Sequence, residues 1–508
     1  MCAPRRVADF DGDSPDVNTT REVIDMSDTV CTTAARTPAS GTSEESAAYF
    51  EKRSLKQGSV NWVLLMGLGV AYVISGDFSG WNYGIAQGGW LGMVIAFLVM
   101  GAMYLFMVLG LAEMSSAMPV AGAGYGFARR ALGKTGGALT GFAILVEYAI
   151  CPAAISTFIA DYVHALGLFS EVPSALIIAV FFAVFVGIHI LGVGEALKVI
   201  FGITFIAVVA LGVYVAGIAP HFSAANLFDI APEGAGSSVA LPHGIVGVLS
   251  ALPFGMWLFL AVEGVPLAAE ESSDPKRDMP RGIIGAMLLL LLTGSLVLVL
   301  TAGGAGAAFT GSAAAPLVDA LNAVGEPMLA TFVNYAGLAG LVASFFSTIY
   351  SGSRQAFALS RAGYLPKFLS VTGSRKTPHA SLLMLGILGY ALAVGVGNGS
   401  ILLNMAVFSA CVSYAMMNLS HILLRKNEPE MERGFSAPGG STTTVISLVL
   451  SLVAMCSTFV VDVLAAVCTL GVLVVLMTYF ALYSRHYLVG NAPEEEFAAL
   501  QVAEADLA

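Results

Sequence analysis

Long apolar segments separated by short polar stretches recur about twelve times between residues 60 and 487. Each is long enough to cross a bilayer, which takes about 20 apolar residues in a helix. The pattern predicts spans near 60–86, 90–116, 136–166, 173–192, 195–219, 244–270, 282–305, 327–355, 379–397, 399–424, 443–461 and 463–487. The expected fold class is therefore an all-α polytopic membrane protein with about twelve transmembrane helices. Residues 1–58 are polar, rich in Asp, Ser, Thr and Ala, and lack apolar periodicity, which reads as a disordered cytoplasmic tail. That tail has no hydrophobic targeting segment, so the first span is expected to be the first targeting element. The division that follows is a ten-helix core over 59–425, helices 11 and 12 over 426–488, and a second cytoplasmic tail over 489–508.

Two spans are interrupted. In the first, Ile74-Ser75-Gly76-Asp77-Phe78-Ser79-Gly80 breaks an otherwise continuous apolar run. Gly has low helix propensity, and Ser offers the backbone competing hydrogen bonds. Asp77 sits between them near mid-span, where a charged group costs roughly 2.5–3.5 kcal/mol on insertion scales. Such a group faces protein or a wet cavity, and an opened helix at that depth is tolerated only where it lines a site. A midplane cation site is the functional reading; a kinked helix whose Asp caps the break is the structural one. The sixth span carries a matching interruption, Pro253-Phe254-Gly255-Met256-Trp257 followed by Ala261-Val262-Glu263-Gly264-Val265-Pro266. Broken first and sixth helices are what an inverted pair of five-helix repeats would give.

Composition agrees with the pattern. Of 508 residues, 57% are hydrophobic and 11% charged, where a soluble protein carries about a quarter. The net charge of −11 says little about partners, because much of the acid lies in the tails. No basic stripe interleaved with aromatics is present, which speaks against nucleic acid. Six scattered cysteines show neither metal-ligand spacing nor a disulfide framework. No nucleophile elbow, phosphate loop or metal cluster suggests an enzyme, and no cofactor or metal is expected. The 23 Lys and Arg all fall on one side of the membrane when the N-terminus is placed inside, with examples at Arg129, Arg130, Lys276, Arg277, Arg361 and Arg425. The opposite loops, including the long one from about Ala219 to His243, carry none. The positive-inside rule then makes both termini cytoplasmic.

Three stretches resemble the amino acid–polyamine–organocation (APC) transporter superfamily. They are Ala112-Glu113-Met114 through Pro119 with Gly122-Ala123-Gly124-Tyr125-Gly126-Phe127-Ala128-Arg129-Arg130; Glu270-Glu271-Ser272-Ser273-Asp274-Pro275-Lys276-Arg277-Asp278-Met279-Pro280-Arg281; and Ser353-Arg354-Gln355-Ala356-Phe357-Ala358-Leu359-Ser360-Arg361-Ala362-Gly363-Tyr364-Leu365-Pro366. Within the superfamily, Val73-Ile74-Ser75-Gly76-Asp77-Phe78, the Glu147-Tyr148 pair and the Gly-Tyr-Gly-Phe-Ala-Arg-Arg run are similar to ethanolamine permeases. The resemblance implies a leucine-transporter-type fold and a bacterial plasma (inner) membrane location. It also implies small-molecule transport coupled to a proton or to sodium.

The resemblance also assigns candidate residues. Amino acid permeases of the superfamily carry a Gly-Ser-Gly or Gly-Ala-Gly break whose free amides hold the substrate carboxylate at a half-helix N-terminus. Here the break reads Ile-Ser-Gly and is followed by Asp77, a fixed negative charge that repels a carboxylate and attracts an ammonium. The amides of Ser75 and Gly76 are then left for a neutral hydroxyl. Glu147 and Tyr148 match substrate-facing positions of related antiporters. An aromatic face adds about 0.5–2 kcal/mol for a primary ammonium. Trp257 matches a stacking Trp and Glu263 a gating or proton-sensitive Glu, with Phe254 beside them. Ser344 and Ser347 match the ion site of sodium-coupled relatives, and are equally readable as helix-packing serines. A mid-span Lys that replaces sodium in some relatives is missing: Lys198 lies near the start of the fifth span, whose middle is apolar. His189 and His421 read as helix-end or packing residues.

The reading is a secondary transporter that imports ethanolamine by alternating access, with Asp77 as the ammonium's first partner and Glu147, Tyr148 and Trp257 assisting. An amino acid or a di- or polyamine permease of the same superfamily is the alternative. A sensor that binds without transport is the third, and the tails are short and polar for a signalling domain.

Overall fold

The computed structural model describes residues 60–119, 122–167, 169–191, 196–234, 236–373 and 377–489. The predicted tails, residues 1–58 and nearly all of 489–508, lie outside the described residues, as does the side chain of Lys198. The described residues form helices: α1 (Trp62–Val73), α2 (Ser75–Phe78), α3 (Asn82–Ala117), α4 (Gly124–Ala165), α5 (Ser174–Leu191), α6 (Ala196–Ile218) and α7 (Gly244–Trp257). There follow α8 (Pro275–Ala305), α9 (Ala307–Ser312), α10 (Pro316–Ala323), α11 (Pro327–Arg361), α12 (His379–Val396), α13 (Gly399–Asn427), α14 (Gly440–Val461) and α15 (Val463–Leu482). Among the described residues eleven helices are long and apolar enough to cross a membrane, and Trp62–Phe78 is a shorter apolar helix.

The long α3 is two helices in one run. At Gly89 the backbone turns to φ 72° and ψ 173°, outside helical geometry. On a straight helix Gly84 and Met93 would stand about 13 Å apart at a rise of about 1.5 Å per residue. Instead the Met93 sulfur packs directly on Gly84, so the chain folds back at Gly89. Residues 82–88 therefore continue the first span, and 90–117 form the second. Gly133, at φ 72°, similarly separates the first turns of α4 from its long membrane portion.

Helix α4 packs along α13, α3 along α7, and α1 along α8, with α11 against α4, α6 and α1. Tyr104, Tyr148, Tyr162, Trp81 and Phe78 are among the large side chains that are fully buried. Lipid-facing helices such as α5, α14 and α15 leave Val and Leu side chains exposed in rows, as hydrocarbon permits.

The end of the bundle that carries the basic residues is closed by ion pairs. Glu113, 1% exposed near the end of α3, accepts from Arg425 Nε at 2.9 Å, Arg433 Nε at 2.9 Å and the Ala437 amide at 2.7 Å. Arg130 forks onto Glu428 at 3.0, 3.1 and 2.7 Å, and Lys276 reaches Glu432 at 2.8 Å. The segment after α13 is thus tied to α3, α4 and α8 by charge. Glu113→Gln leaves two guanidinium groups without their shared anion. Breaking a fully buried pair costs about 3–5 kcal/mol. With Arg425 still 25% exposed, the expected loss is nearer about 2 kcal/mol after solvent screening. Thermal unfolding of the purified variant checks it: a melting temperature equal to wild type would remove Glu113 as the anchor of this end.

Candidate functional site

Both spans are interrupted: the first opens at the end of the stretch that sequence singled out, the second between the two segments named for it. Helix α1 runs to Ile74, whose amide still donates to Val70 O at 2.8 Å, and α2 adds one more turn. The backbone opens at Ser79 (φ −159°, ψ 159°) and Gly80 (φ +97°). Gly80 is the residue that needs to be glycine for its dihedral, since L side chains rarely adopt positive φ. Gly76 stays helical and serves another purpose. A Cβ there would stand 3.0 Å from Trp257 O and 3.3 Å from Leu258 Cα, so its bare backbone lets the sixth span approach.

In the sixth span, Pro253 and Gly255 lie inside α7, which ends at Trp257. The chain then turns through Leu258–Ala261, with Ala261 at φ +79°, and continues as a 3-10 helix over Val262–Glu271. A positive φ at a non-glycine residue is a strained conformation that the surroundings must hold. Gly255 is again a close-approach position, where a Cβ would meet the Ala96 backbone at 2.8 Å.

The breaks lie side by side and are joined by side chains. The Trp257 indole N–H donates to Ser79 O at 3.0 Å. Ser344 Oγ accepts from the Ser75 amide at 2.9 Å and donates to Ala71 O at 2.7 Å. Tyr162 donates to Phe78 O at 2.8 Å, Trp81 to Asp77 O at 3.2 Å, and the Gly80 amide donates to Asn82 Oδ1 at 3.2 Å. Backbone groups freed by the break are in this way capped from α11, α4 and the break itself.

Between the breaks lies a cavity of about 10 Å³, lined in part by Tyr72, Ser75, Cys151, Trp257, Ala261 and Thr348. That is space for about one water molecule, so the site is closed. Glu147 and Glu263 stand together just beyond it. Tyr148 donates to Glu263 Oε1 at 3.4 Å and reaches Ala261 O at 3.5 Å. Tyr414 donates to Glu147 Oε1 at 3.4 Å and accepts from the Tyr104 hydroxyl at 3.0 Å. Both carboxyl groups are buried, and each lies within electrostatic reach of the other.

Asp77 is placed differently from the other two acids. It is 0% exposed, but its carboxylate turns to α8, beside Thr293 and about 3.6 Å from a Cβ built on Gly294. It does not line the cavity. Phe254 is also buried away from it, with its ring on Tyr83 at 6.1 Å. Ser344 bridges α1 and α11, whereas the Ser347 hydroxyl donates to Ala343 O of its own helix at 2.7 Å. His189 bonds the Phe346 carbonyl at 3.0 Å, a packing contact, whereas His421 bonds the Thr444 hydroxyl at 2.8 Å and sets its Nε2 3.4 Å from Glu113. No group of three His, Cys, Asp or Glu able to hold a metal occurs among the described residues.

One feature was missed in the sequence. At the end of the bundle opposite the basic residues, a cavity of about 570 Å³ is lined by Asp161, Tyr83, Thr157, Ser174, Asn398 and Ser400, among others. Rings lead inward from it: Tyr83 to Phe158 at 6.4 Å, then Phe158 to Trp257 at 5.9 Å. The available signal was Asp161 itself, a lone acid near the end of an apolar span.

The joint between the breaks is testable. Trp257→Phe keeps a ring but leaves Ser79 O without its donor, which should cost about 1–3 kcal/mol. Thermal unfolding that matches wild type would show that the indole hydrogen bond does not hold the breaks together.

Residues 63–489 match the amino acid permease family. The chain is 28% identical over 406–425 residues to two relatives: an uncharacterized transporter of Rhizobium meliloti (strain 1021), with 77% of this chain and 84% of the relative covered, and the branched-chain amino acid permease of Bacillus subtilis (strain 168), with 77% and 86% covered. It is 26% identical to the aromatic amino acid transport protein of Escherichia coli (strain K12), over 75% of this chain and 83% of the relative. With the helical bundle and its apolar spans, the match over most of the length settles the class. The chain belongs to the amino acid permease family and is a membrane transporter, not an enzyme.

Proposed function

We propose that the chain imports a small primary amino alcohol, ethanolamine, by alternating access across the bacterial plasma membrane. The observation that carries this reading is the charge around the two breaks. Asp77, Glu147 and Glu263 are all buried there, and no described basic side chain is paired with any of them. Three acids without a described basic partner favour a cationic guest and disfavour one that brings its own carboxylate. The amide that would read a substrate carboxylate is also engaged, since Ser75 N is already held by Ser344 Oγ.

The sequence favoured Asp77 as the ammonium's first partner, but its carboxylate faces α8. The ammonium therefore falls to Glu263, backed by Glu147 and the faces of Tyr148 and Trp257. Asp77 adds to the acidic character of the site at longer range. The hydroxyl is left to the Ser75 side chain, since Ser75 lines the cavity, and to the backbone of the breaks. The same pair of glutamates also suits the coupling proton, because a carboxylate that holds an ammonium cannot hold a proton as well. The closed cavity implies that the helices around it part to admit substrate. The relatives, named for branched-chain and for aromatic amino acids, leave an amino acid as the competing reading.

Thermal shift separates the two. At about 100 times its dissociation constant a ligand adds about 2.7 kcal/mol of stability. Ethanolamine should therefore raise the melting temperature while serine and glycine do not. Equal stabilisation by serine would return the protein to the amino acid transporters.

The division among the acids is tested by uptake of labelled ethanolamine into proteoliposomes. Glu263→Gln removes the charge of a direct contact. It should weaken apparent affinity by about 1.5–3 kcal/mol, roughly ten- to more than a hundred-fold. Asp77→Asn should cost less than this. If Asp77→Asn abolishes uptake in a folded protein and Glu263→Gln leaves it intact, the assignment is reversed.

A further inference from the structure

Outside the transport site, a groove between the start of α1 and α8 opens at the basic end of the bundle. Its volume is about 640 Å³, and its lining includes Trp62, Lys276, Arg277, Arg281, Leu288 and Phe435. We propose that this groove is a binding site for an anionic phospholipid, with the phosphate at Arg277 and Arg281 and an acyl chain along α8.

Polarity changes in order along one helix face. Arg277 and Arg281 are a turn apart on α8, and the groove continues past Ile284 and Gly285 to Leu288. The same face then carries Leu292 and Leu296, and all three leucines are exposed, at 56%, 56% and 37%. Positions three and four apart share a helix face, so cations and leucines form one stripe. A head that is anionic and a tail that is hydrocarbon match that order; a soluble phosphate would use only its first turn. Trp62, 39% exposed, sits beside the cations, where an indole suits the bilayer interface.

The charges are available for such a ligand. Arg281 has no ion pair among the described residues, and Arg277 lies 3.9 Å from Asp274, both largely exposed, a contact of little energy. Lys276 is engaged with Glu432 at 2.8 Å and adds positive potential only at the margin. Guanidinium groups bind phosphate oxygens in a fork, and basic pockets beside membrane helices take anionic head groups. Trp62 opens α1, the helix that leads to the first break. A lipid seated here would brace α1 against α8.

Delipidated, full-length protein in neutral detergent tests the proposal, with phosphatidylglycerol, phosphatidylcholine or glycerol 1-phosphate added in turn. Phosphatidylglycerol should raise the melting temperature by several degrees and appear as a bound adduct in native mass spectrometry. The other two should do neither. The Arg277→Gln/Arg281→Gln variant should lose the adduct and the shift while melting normally without lipid. Arg281→Lys, which keeps the charge but not the fork, should lose part of each and serves if the double variant does not fold. Glycerol 1-phosphate acting as strongly as phosphatidylglycerol would make this an anion site and overturn the lipid assignment. Equal adducts with phosphatidylcholine, or an undiminished shift in the arginine variants, would overturn it too.

Discussion

Backbone amides and carbonyls inside an apolar medium must find partners within the protein, and the hydrogen bond from Trp257 to Ser79 O is where this chain meets that demand. Opening a helix at mid-span strands several polar groups at once, at a cost of several kcal/mol each if left unpaired. Here two spans open at adjacent places, so that a side chain of one break caps the backbone of the other. Gly76 makes the approach possible, since any side chain there would press on the Trp257 carbonyl. Ser344 and Tyr162 then fasten the same segment to α11 and α4. Neither break would be stable alone at that depth. Their pairing is what permits irregular backbone in the middle of the bundle.

The fate of the buried acids shows where the protein completes its interactions and where it does not. Glu113, at the basic end, receives two guanidinium groups and an amide, and its work is to tie segments together. Glu147 and Glu263 have each other and tyrosine hydroxyls at 3.4 Å, long for hydrogen bonds, and no described basic partner. Asp77 has a threonine and a glycine for neighbours. A bundle selected only for stability would pair or remove such groups, because an unsatisfied buried charge is among the costliest features a fold can carry. Their concentration at the two breaks, against the saturation of Glu113 elsewhere, is what the proposed cationic guest would complete.

Sequence made the spans legible because each is an apolar run too long for a short core helix and too poor in charge for a soluble surface. It found the two interruptions through their Gly, Ser and Pro content. It misjudged where the first one opens because propensity does not distinguish a glycine that bends the chain, Gly80, from one that only admits a neighbour, Gly76. The direction of Asp77 was beyond reach for a related reason. A side chain's azimuth depends on helix phase, and phase is unknown across a break whose dihedrals are unknown. The meeting of Glu147 with Glu263 joins residues more than a hundred positions apart, which no periodicity encodes. Asp161 went unnoticed because one acid near a span's end resembles any loop-proximal residue. Only the cavity around it gives it meaning.

Closure of the central cavity follows from the same contacts that stabilise the breaks. Its walls are helix ends joined by hydrogen bonds from Trp257, Ser344 and Tyr162 as well as by buried apolar side chains such as Val73, Ile155 and Leu260. A packed layer resists parting because separated surfaces lose their dispersion contacts outright. A hydrogen bond can instead be exchanged for one to water or to a substrate hydroxyl at small net cost, since its net worth is about 0.5–1.5 kcal/mol. The joints that make irregular backbone tolerable are therefore also the ones most easily traded when a polar guest arrives. Broken helices capped by side chains give the bundle a closed centre held partly by exchangeable bonds, in a region where Asp77, Glu147 and Glu263 have no described basic partner.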